Sequence, residues 1–390
     1  MKLIDKVGAD DLSQSPVNPV FEPFQGTVIP VAQPYLPDRK RLDAYIDGIY
    51  QRRWLTNNGP LVQLLTERLQ AFLGVRNLLL VSNGTLALQI AYRALNIHQS
   101  VDGQPAEAVT TPFSFAATSS TLVWEGIKPV YADIDPSSWC LKPEHIAQQI
   151  TPQTRAIVPV HVFGNICEVE KIAAIAAEHH LKVIYDGAHA FGVGYKGGSA
   201  LSWGDATTLS FHATKIFHCI EGGAIIFKNQ EDLERAKHLI NFGITGPDVV
   251  EAVGINAKMN EFSAAMGLSL LDEYMINIEG REKIWQRYYR ELSDQVIRQK
   301  RMADISNNYA YYPVVFKNTA EMLEVQKKLL KINISSRRYF YPSLDTLEFY
   351  NASEPKIASQ DVASRILCLP VFYGLSDNIV SKIIDIVNGK

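Results

Sequence analysis

The sequence predicts an α/β fold: a large, mostly parallel sheet domain followed by a small C-terminal α/β domain. Short continuous apolar runs alternate with helical segments through the first two thirds of the chain. Such runs are typical of parallel strands that are buried on both faces. A helical pattern from Glu261 to about Leu292 then leads into the smaller unit. In sheets of this kind, ligands bind at the carboxyl ends of the strands.

The elements follow one another in a regular order. A helix through Leu61, Leu65 and Leu69 ends at Gly74, and a second helix runs through Leu86 and Ala91. Further helices are predicted over 169–179 and from Ser376, which is a good N-cap. The apolar runs predict strands at 78–81, 108–110, 129–132, 156–160, 183–185, 207–211 and 224–227.

Length and composition set the domain organisation. The chain has 390 residues, of which 47% are hydrophobic, enough for a large buried core. Residues 1–30 contain four prolines and few apolar runs, so we expect an extended N-terminal arm there. The predicted large domain covers 31–275 and the small domain covers 276–390.

The charge balance and the cysteines exclude several functional classes. Net charge is −3, from 38 basic and 41 acidic residues, which indicates neither a nucleic-acid nor an anionic-membrane partner. The four cysteines form no CxxC pair, so we expect no metal site and no disulfide framework. Without a signal peptide or a long apolar run, a cytoplasmic protein is predicted.

The first polar signal is Ser82-Asn83-Gly84-Thr85, between a strand and a helix. Gly84 permits a tight turn, and the free N–H groups of the following helix suit a phosphate. An ordinary turn with a Ser/Thr cap would give the same pattern.

An apolar strand delivers Asp186 to its carboxyl end, and His189 follows. A carboxylate can keep the pyridine nitrogen of pyridoxal phosphate (PLP) protonated, so that the ring acts as an electron sink. His189 could reach the phenolic oxygen of that cofactor. The alternative is an Asp that caps a helix and a His on a loop surface.

Lys215 ends the segment Ser210-Phe211-His212-Ala213-Thr214-Lys215, just after a buried strand. A lysine in such a place can lose its proton and form a Schiff base. Ser210 and Thr214 could contact a phosphate or the lysine. Most lysines lie on surface loops, but the apolar strands and the Gly222-Gly223 turn around this one argue against that.

Phe115 lies in the segment 111–118, at the end of another predicted strand. An aromatic ring in this position can stack on a flat cofactor. Packing in the core is the alternative.

In their order and spacing, these segments resemble the DegT/DnrJ/EryC1/StrS family of PLP-dependent sugar aminotransferases. The resemblance extends from about Pro30 over nearly the whole chain. It implies the aspartate-aminotransferase fold, known as fold type I, and a homodimer with active sites across its interface. The matching segments are LTNNGP at 55–60, SNGTLAL at 82–88, DGAHAFG at 186–192, SFHATK at 210–215, EGGA at 221–224 and GINAKMNEFSAAMGL at 254–268.

The resemblance also implies roles for individual residues. Lys215 would carry the cofactor as a Schiff base, and Asp186 would pair with the pyridine nitrogen. His189 would lie beside the phenolic oxygen, and Phe115 would stack on the ring. The remaining cofactor contacts would be made to the phosphate, by Gly84, Thr85 and Ser210 of the same chain and by Asn256 of the neighbouring subunit.

Two departures from the family pattern are interpreted as tuning of the substrate pocket. Lys258 stands where many members have arginine. The run from Ile216 to Ile220 replaces a more polar, glycine-containing stretch.

The segments 31–37 and 54–60 look most like the members that form dTDP-4-amino-4,6-dideoxyglucose, a sugar of surface glycans of the O-antigen type. The resemblance therefore implies amination at C4 of a dTDP-4-keto-6-deoxyhexose, with L-glutamate as the usual donor. An aromatic and basic cluster in the small unit is a candidate site for the nucleotide diphosphate. Its residues are Arg337, Arg338, Tyr339, Phe340 and Tyr341, with Tyr311 and Tyr312 upstream. A solvated loop is the alternative for the two arginines.

Other functions stay open at this point. Within the family, amination at C3 of a 3-keto isomer or a UDP-linked substrate are the nearest rivals. Lys215 argues against a PLP-dependent dehydratase, in whose relatives the lysine is replaced by histidine. A cysteine desulfurase would need a reactive thiol, for which Cys219 is the nearest candidate. A non-catalytic PLP-binding regulator would normally carry a DNA-binding module, and no basic patch indicates one.

Overall fold

The structure is a computed structural model that describes residues 28–390. The predicted arm at 1–30 lies almost entirely outside the described residues. Ile29 pairs with the C-terminal part of the chain: its N–H donates to the Asn333 carbonyl at 2.7 Å, and its carbonyl accepts the Ser335 N–H at 2.8 Å.

The helices of the described residues begin and end close to the predicted signals. Gly74 ends the second helix in the left-handed conformation, and the Ser376 side chain caps the last one. The helices are α1 (Arg39–Arg52), α2 (Pro60–Leu73), α3 (Gly84–Ala94), α4 (Ala116–Trp124), α5 (Pro143–Ala147), α6 (Val169–Glu178), α7 (Gln230–Leu239), α8 (Glu261–Asp272), α9 (Tyr274–Glu291), α10 (Thr319–Lys331), α11 (Ile357–Arg365) and α12 (Asp377–Val387).

The strands of the described residues form one large sheet, one small sheet and two short hairpins. They are β1 (Leu78–Val81), β2 (Glu107–Thr110), β3 (Lys128–Tyr131), β4 (Thr154–Val158), β5 (Lys182–Asp186), β6 (Gly194–Tyr195), β7 (Gly198–Ser199), β8 (Ala206–Ser210), β9 (Gly223–Phe227), β10 (Ile244–Gly246), β11 (Val249–Val250), β12 (Ile297–Arg298), β13 (Tyr312–Val315) and β14 (Ile366–Leu369).

The large sheet has the strand order β1-β9-β8-β5-β4-β2-β3. Strand β9 runs antiparallel to both of its neighbours, and the other pairs are parallel. Each predicted apolar run contributes one of these strands, so the mostly parallel sheet is confirmed. The parallel strands bring the ends of β2, β4, β5 and β8 to one edge.

Hydrophobic packing covers both faces of the sheet. On one face, α2 and α8 pack through residues such as Leu65 and Leu268. On the other, α3 and α7 pack through residues such as Leu88 and Leu233. A third core joins α9, α10 and α12 to the small sheet β12-β13-β14. This third core supports a separate C-terminal unit, and the boundary at 275/276 stays a prediction.

The helical pattern from Glu261 to about Leu292 forms two helices, and Glu273 lies between α8 and α9. The Glu273 carboxylate is buried and accepts hydrogen bonds from the Tyr35 hydroxyl at 2.8 Å and the Asp38 N–H at 3.0 Å. The Glu273 side chain, at the break between the two helices, therefore holds the segment around Tyr35 and Asp38 against the large unit. No helix within 28–390 has both the length and the apolar character needed to cross a membrane.

Glu261 connects two segments of the family pattern that are distant in sequence. Its side chain is 0% exposed, and it accepts the Leu61 N–H at 3.0 Å and the Val62 N–H at 2.9 Å. These donors belong to the first turn of α2, where a helix leaves N–H groups without partners. A Cβ at Gly59 would lie 2.6 Å from the Glu261 carboxyl carbon, so a larger residue there would displace the carboxylate that caps the helix. Gly59, Pro60 and Glu261 thus form one structural contact.

We predict that Glu261→Ala lowers the free energy of unfolding by about 2–4 kcal/mol, because it leaves buried N–H groups at the start of α2 without an acceptor. Urea-induced unfolding of the purified variant measures this. Glu67→Ala is the matched control, since Glu67 is exposed on the same helix. Equal stability of the two variants would show that the cap contributes nothing.

Candidate active site

A cavity of about 540 Å³ opens at the edge of the sheet where the parallel strands end. It brings together side chains from strand ends, from the turn before α3 and from the C-terminal unit. Of the residues predicted for the site, those that line it are Gly84, Thr85, Phe115, Asp186, His189, Ser210, Thr214, Lys215, Tyr311, Arg337, Tyr339 and Phe340.

One end of the cavity is built as an anion site. Helix α3 begins at Gly84, and the Asn83 side chain caps it by accepting the Leu86 N–H at 2.8 Å. A Cβ at Gly84 would lie 2.8 Å from the Ser210 Cβ, so only glycine lets the helix start this close to β8. The first N–H groups of α3 and the hydroxyls of Thr85 and Ser210 suit a phosphate.

The Asp186 carboxylate lies at the end of β5 and is only 6% exposed. One oxygen, Oδ2, accepts the Thr118 hydroxyl at 2.8 Å, and the other, Oδ1, accepts the Ala188 N–H at 3.1 Å. Its backbone is fixed as well, because its N–H donates to the Pro159 carbonyl at 2.9 Å. A buried carboxylate held on both oxygens is a rigid acceptor for one cationic group of a ligand.

His189 is buried rather than on a loop surface. Its Nδ1 accepts the Phe163 N–H at 3.2 Å, which places the ring proton on Nε2. The imidazole lies nearly parallel to the rings of Phe163 and Phe340, at 10° to each, with centroid distances of 5.8 Å and 5.7 Å. Burial, and then the nearby Lys215, hold the pKa of His189 well below its usual value. His189 is therefore a neutral donor.

Lys215 is partly buried, and its Nζ lies 3.5 Å from the Tyr311 hydroxyl. Burial lowers the pKa of the Lys215 amine and outweighs the opposite effects of Asp186 and Tyr339. Burial also raises the pKa of Tyr311, so this hydroxyl keeps its proton. The lowered pKa makes the Lys215 amine easier to deprotonate, and so a better nucleophile, than a lysine in water.

Three of the predicted site residues do not line the cavity. Arg338 faces away: its Nη2 donates to the Ser364 carbonyl at 2.8 Å, and its guanidinium carbon lies 3.4 Å from the Tyr341 ring centroid. The predicted basic and aromatic cluster is thus divided, with Arg338 and Tyr341 outside. Asn256 is exposed, and its backbone pairs with Asn241.

Neither departure from the family pattern lies at the cavity, so the structure gives no support to their interpretation as tuning of the substrate pocket. Residues Phe217, His218 and Cys219 are buried beneath the cavity and do not line it. His218 Nε2 lies 2.9 Å from the Tyr35 carbonyl oxygen, so the one polar side chain of this buried stretch is bound within the protein. Lys258 donates to Asn241 Oδ1 at 2.8 Å and borders a different cavity.

The sequence analysis did not identify Ser114 and Thr118 as site residues. It named Tyr311 only in the aromatic cluster and did not predict its contact with Lys215. Ser114 and Tyr311 line the cavity, whereas Thr118 does not line it and donates to Oδ2 of Asp186. All four cysteines are free and buried. Burial raises the pKa of Cys219 and of Cys368, which argues against the reactive thiol of a desulfurase.

The sequence pattern of the DegT/DnrJ/EryC1/StrS aminotransferase family matches residues 38–388. The chain belongs to this family. The protein is therefore an aminotransferase whose cofactor is pyridoxal phosphate, and the predicted fold type I is confirmed.

Relatives match over nearly their whole length. The dTDP-4-amino-4,6-dideoxy-D-glucose transaminase of Shigella dysenteriae is 40% identical over 371 residues, which cover 92% of this chain and 97% of that protein. The enzyme of the same name from Escherichia coli is 40% identical over 373 residues, covering 93% and 98%.

Solved structures have the same fold. The crystal structure of DesI in the presence of its TDP-sugar product gives a TM-score of 0.86 at 33% identity, covering 95% of this chain and 93% of that chain. Helicobacter pylori PseC, an aminotransferase involved in the biosynthesis of pseudoaminic acid, gives 0.85 at 26% identity, covering 93% and 98%.

The cavity fits this cofactor. It offers an amine of lowered pKa on Lys215, a buried carboxylate on Asp186 and an anion site at the start of α3. These are the three groups that an aldehyde, a pyridine nitrogen and a phosphate require.

Proposed function

We propose that this enzyme converts a dTDP-4-keto-6-deoxyhexose into the dTDP-4-amino-4,6-dideoxyhexose, with L-glutamate as amino donor, for the synthesis of a surface glycan of the O-antigen type. The observation that carries the substrate is 40% identity, over 92% of the chain, to a transaminase named for dTDP-4-amino-4,6-dideoxy-D-glucose. We also propose a cytoplasmic location, which four free cysteines support.

The proposed roles follow from the geometry of the cavity. Pyridoxal phosphate supplies the electron sink that lets a proton leave the carbon bearing the amino group. The cofactor would attach at Lys215 Nζ, and the freed amine would take that proton as a general base and later return it as a general acid. Asp186 would hold the proton of the pyridine nitrogen. The Nε2–H of His189 would donate to the phenolic oxygen.

Charge is distributed so that the two anionic groups bind apart from each other. The start of α3, with Thr85 and Ser210, takes the cofactor phosphate. Arg337 and Tyr339 come from the C-terminal unit and line another part of the cavity. We assign the nucleotide diphosphate to Arg337, because a guanidinium binds phosphate oxygens bidentately. Tyr339 offers a ring for stacking.

We also propose a homodimer in which Asn256 reaches the cofactor phosphate of the partner subunit. Asn256 is exposed and does not line the cavity of its own chain. The segment around it is rich in exposed apolar side chains, which a partner would cover. They are Phe242, Ile244, Val249, Val250, Val253 and Ile255. Phe115, at the rim of the cavity, is also 62% exposed.

The first prediction about the proposed function concerns Lys215. The wild-type enzyme should be yellow, and borohydride should fix the cofactor to Lys215, as read by peptide mass spectrometry. Lys215→Ala should lower transamination by about a thousandfold or more, because both attachment and proton transfer are lost.

Lys317→Ala is the control, since Lys317 is exposed and outside the cavity. Labelling of another lysine would refute the assignment of Lys215. If glutamate leaves the absorbance of the wild-type cofactor unchanged, the glutamate donor is ruled out. If no amino donor changes that absorbance, the result would favour a non-catalytic PLP-binding regulator over an enzyme.

A second prediction concerns the substrate. With glutamate, the enzyme should turn over the dTDP-4-keto-6-deoxyhexose and should place nitrogen on C4, as read by NMR of the product. Arg337→Gln should raise KM for the sugar nucleotide about tenfold or more, since a charge-assisted hydrogen bond is lost.

Arg338→Gln removes the same charge one residue further along and should raise KM less, because that guanidinium faces away from the cavity. Turnover of the 3-keto isomer alone, or a preference for a UDP sugar, would overturn the substrate while leaving the aminotransferase intact.

A third prediction concerns the shared sites. Lys215→Ala and Asn256→Ala chains should each have low activity as homodimers. After subunit exchange, mixed dimers contain one site with both residues intact, so part of the activity should return. Light scattering during the assay checks the assembly. A fully active monomer would contradict the proposal.

A further inference from the structure

A chain of hydroxyl groups leads from the cavity wall to the back of Asp186. The Ser114 and Thr118 hydroxyls lie 2.7 Å apart, and Thr118 Oγ1 lies 2.8 Å from Asp186 Oδ2. Ser114 is 2% exposed and Thr118 is 0% exposed. These short contacts join α4 and the turn before it to the end of β5, across 68 positions of sequence.

The direction of the chain is fixed by the number of hydrogens. A hydroxyl has one hydrogen, and an ionised carboxylate can only accept. Thr118 therefore donates to Asp186, and Ser114 donates to Thr118. Both hydroxyl hydrogens therefore point along the chain toward Oδ2 of Asp186.

The carboxylate keeps acceptor capacity for a ligand. Its oxygens have about four acceptor positions. Two are occupied, by the Thr118 hydroxyl on Oδ2 and by the Ala188 N–H on Oδ1. Together the two donors fix the plane of the carboxyl group. The acceptor positions that stay unoccupied therefore keep a fixed direction.

We propose that Thr118, oriented by Ser114, is a positioning residue that holds the Asp186 carboxylate in a fixed orientation by a hydrogen bond to Oδ2, and so sets how firmly Asp186 keeps the cofactor's pyridine nitrogen protonated. This rests on the role proposed above for Asp186. Without the Thr118 hydroxyl, Oδ2 is a buried oxygen that has lost a charge-assisted hydrogen bond. The carboxylate is then less well stabilised as an anion and draws the shared proton toward itself, so the ring nitrogen is less protonated.

The chain offers a matched control on the same helix. Thr121 is buried one turn after Thr118, but its hydroxyl donates to the Ala117 carbonyl at 2.8 Å. Thr118→Val and Thr121→Val therefore remove the same group from similar surroundings, and only the first touches Asp186. Thr118→Ser keeps a hydroxyl and should restore wild-type behaviour.

The test uses the holoenzyme loaded with PLP that carries ¹⁵N in its ring. We expect Thr118→Val to move the ¹⁵N signal from the protonated toward the unprotonated position, and to weaken PLP binding about tenfold or more. It should lower kcat with little change in KM for the sugar. Thr121→Val and Thr118→Ser should match the wild type in the ¹⁵N signal.

Equal ¹⁵N signals and PLP affinities for Thr118→Val and Thr121→Val overturn the proposal. If Thr118→Val does not fold, Ser114→Ala decides: a smaller shift in the same direction supports the proposal, and an unchanged spectrum overturns it. Asp186→Ala is measured alongside. If it leaves the ¹⁵N signal unchanged, the role of Asp186 itself fails; if it moves the signal and Thr118→Val does not, only the role of Thr118 fails.

Discussion

The site depends on keeping one carboxylate buried at the edge of the sheet. An ionised carboxyl group loses much hydration when it is buried, and only donors in the right places offset that loss. Asp186 receives them from Thr118 on α4 and from the Ala188 N–H in its own loop. The parallel order of the strands makes this possible, because it ends β5 beside the turn that leads into α4. The position of the carboxylate is therefore a property of the whole sheet.

Close backbone approaches, and not only functional side chains, explain the family pattern. Gly84 touches Ser210, and a Cβ at Gly223 would lie 2.6 Å from the Asn83 carbonyl oxygen. These glycines let the start of α3 reach the ends of β8 and β9, which shapes the anion site. Gly59 and Glu261 are also matched by the family, yet they form a helix cap. At Gly59, Gly223 and Glu261 the matched residue thus serves packing or capping within the chain.

The large sheet could be predicted because its strands are continuous apolar runs, and the cavity residues at strand ends followed from that topology. Other features depend on contacts that a sequence does not display. Thr118 looks like any helical threonine until β5 brings Asp186 next to it. Arg337 and Arg338 are adjacent in sequence, but the extended pairing of Arg337 with Cys368 sends the neighbouring side chain to the other side. The run from Ile216 to Cys219 is buried and does not line the cavity, which accounts for its apolar character without a substrate contact.

The electrostatics of the cavity complete this picture. Burial lowers the pKa values of His189 and Lys215 and raises that of Tyr311. Each shift disfavours the charged form of the side chain, so burial works against positive charge on the lysine and the histidine that line the cavity. The free N–H groups at the start of α3 and the guanidinium of Arg337 belong to distant parts of the sequence. Two anionic groups can therefore be held by separate donors, while the Lys215 amine is kept easy to deprotonate.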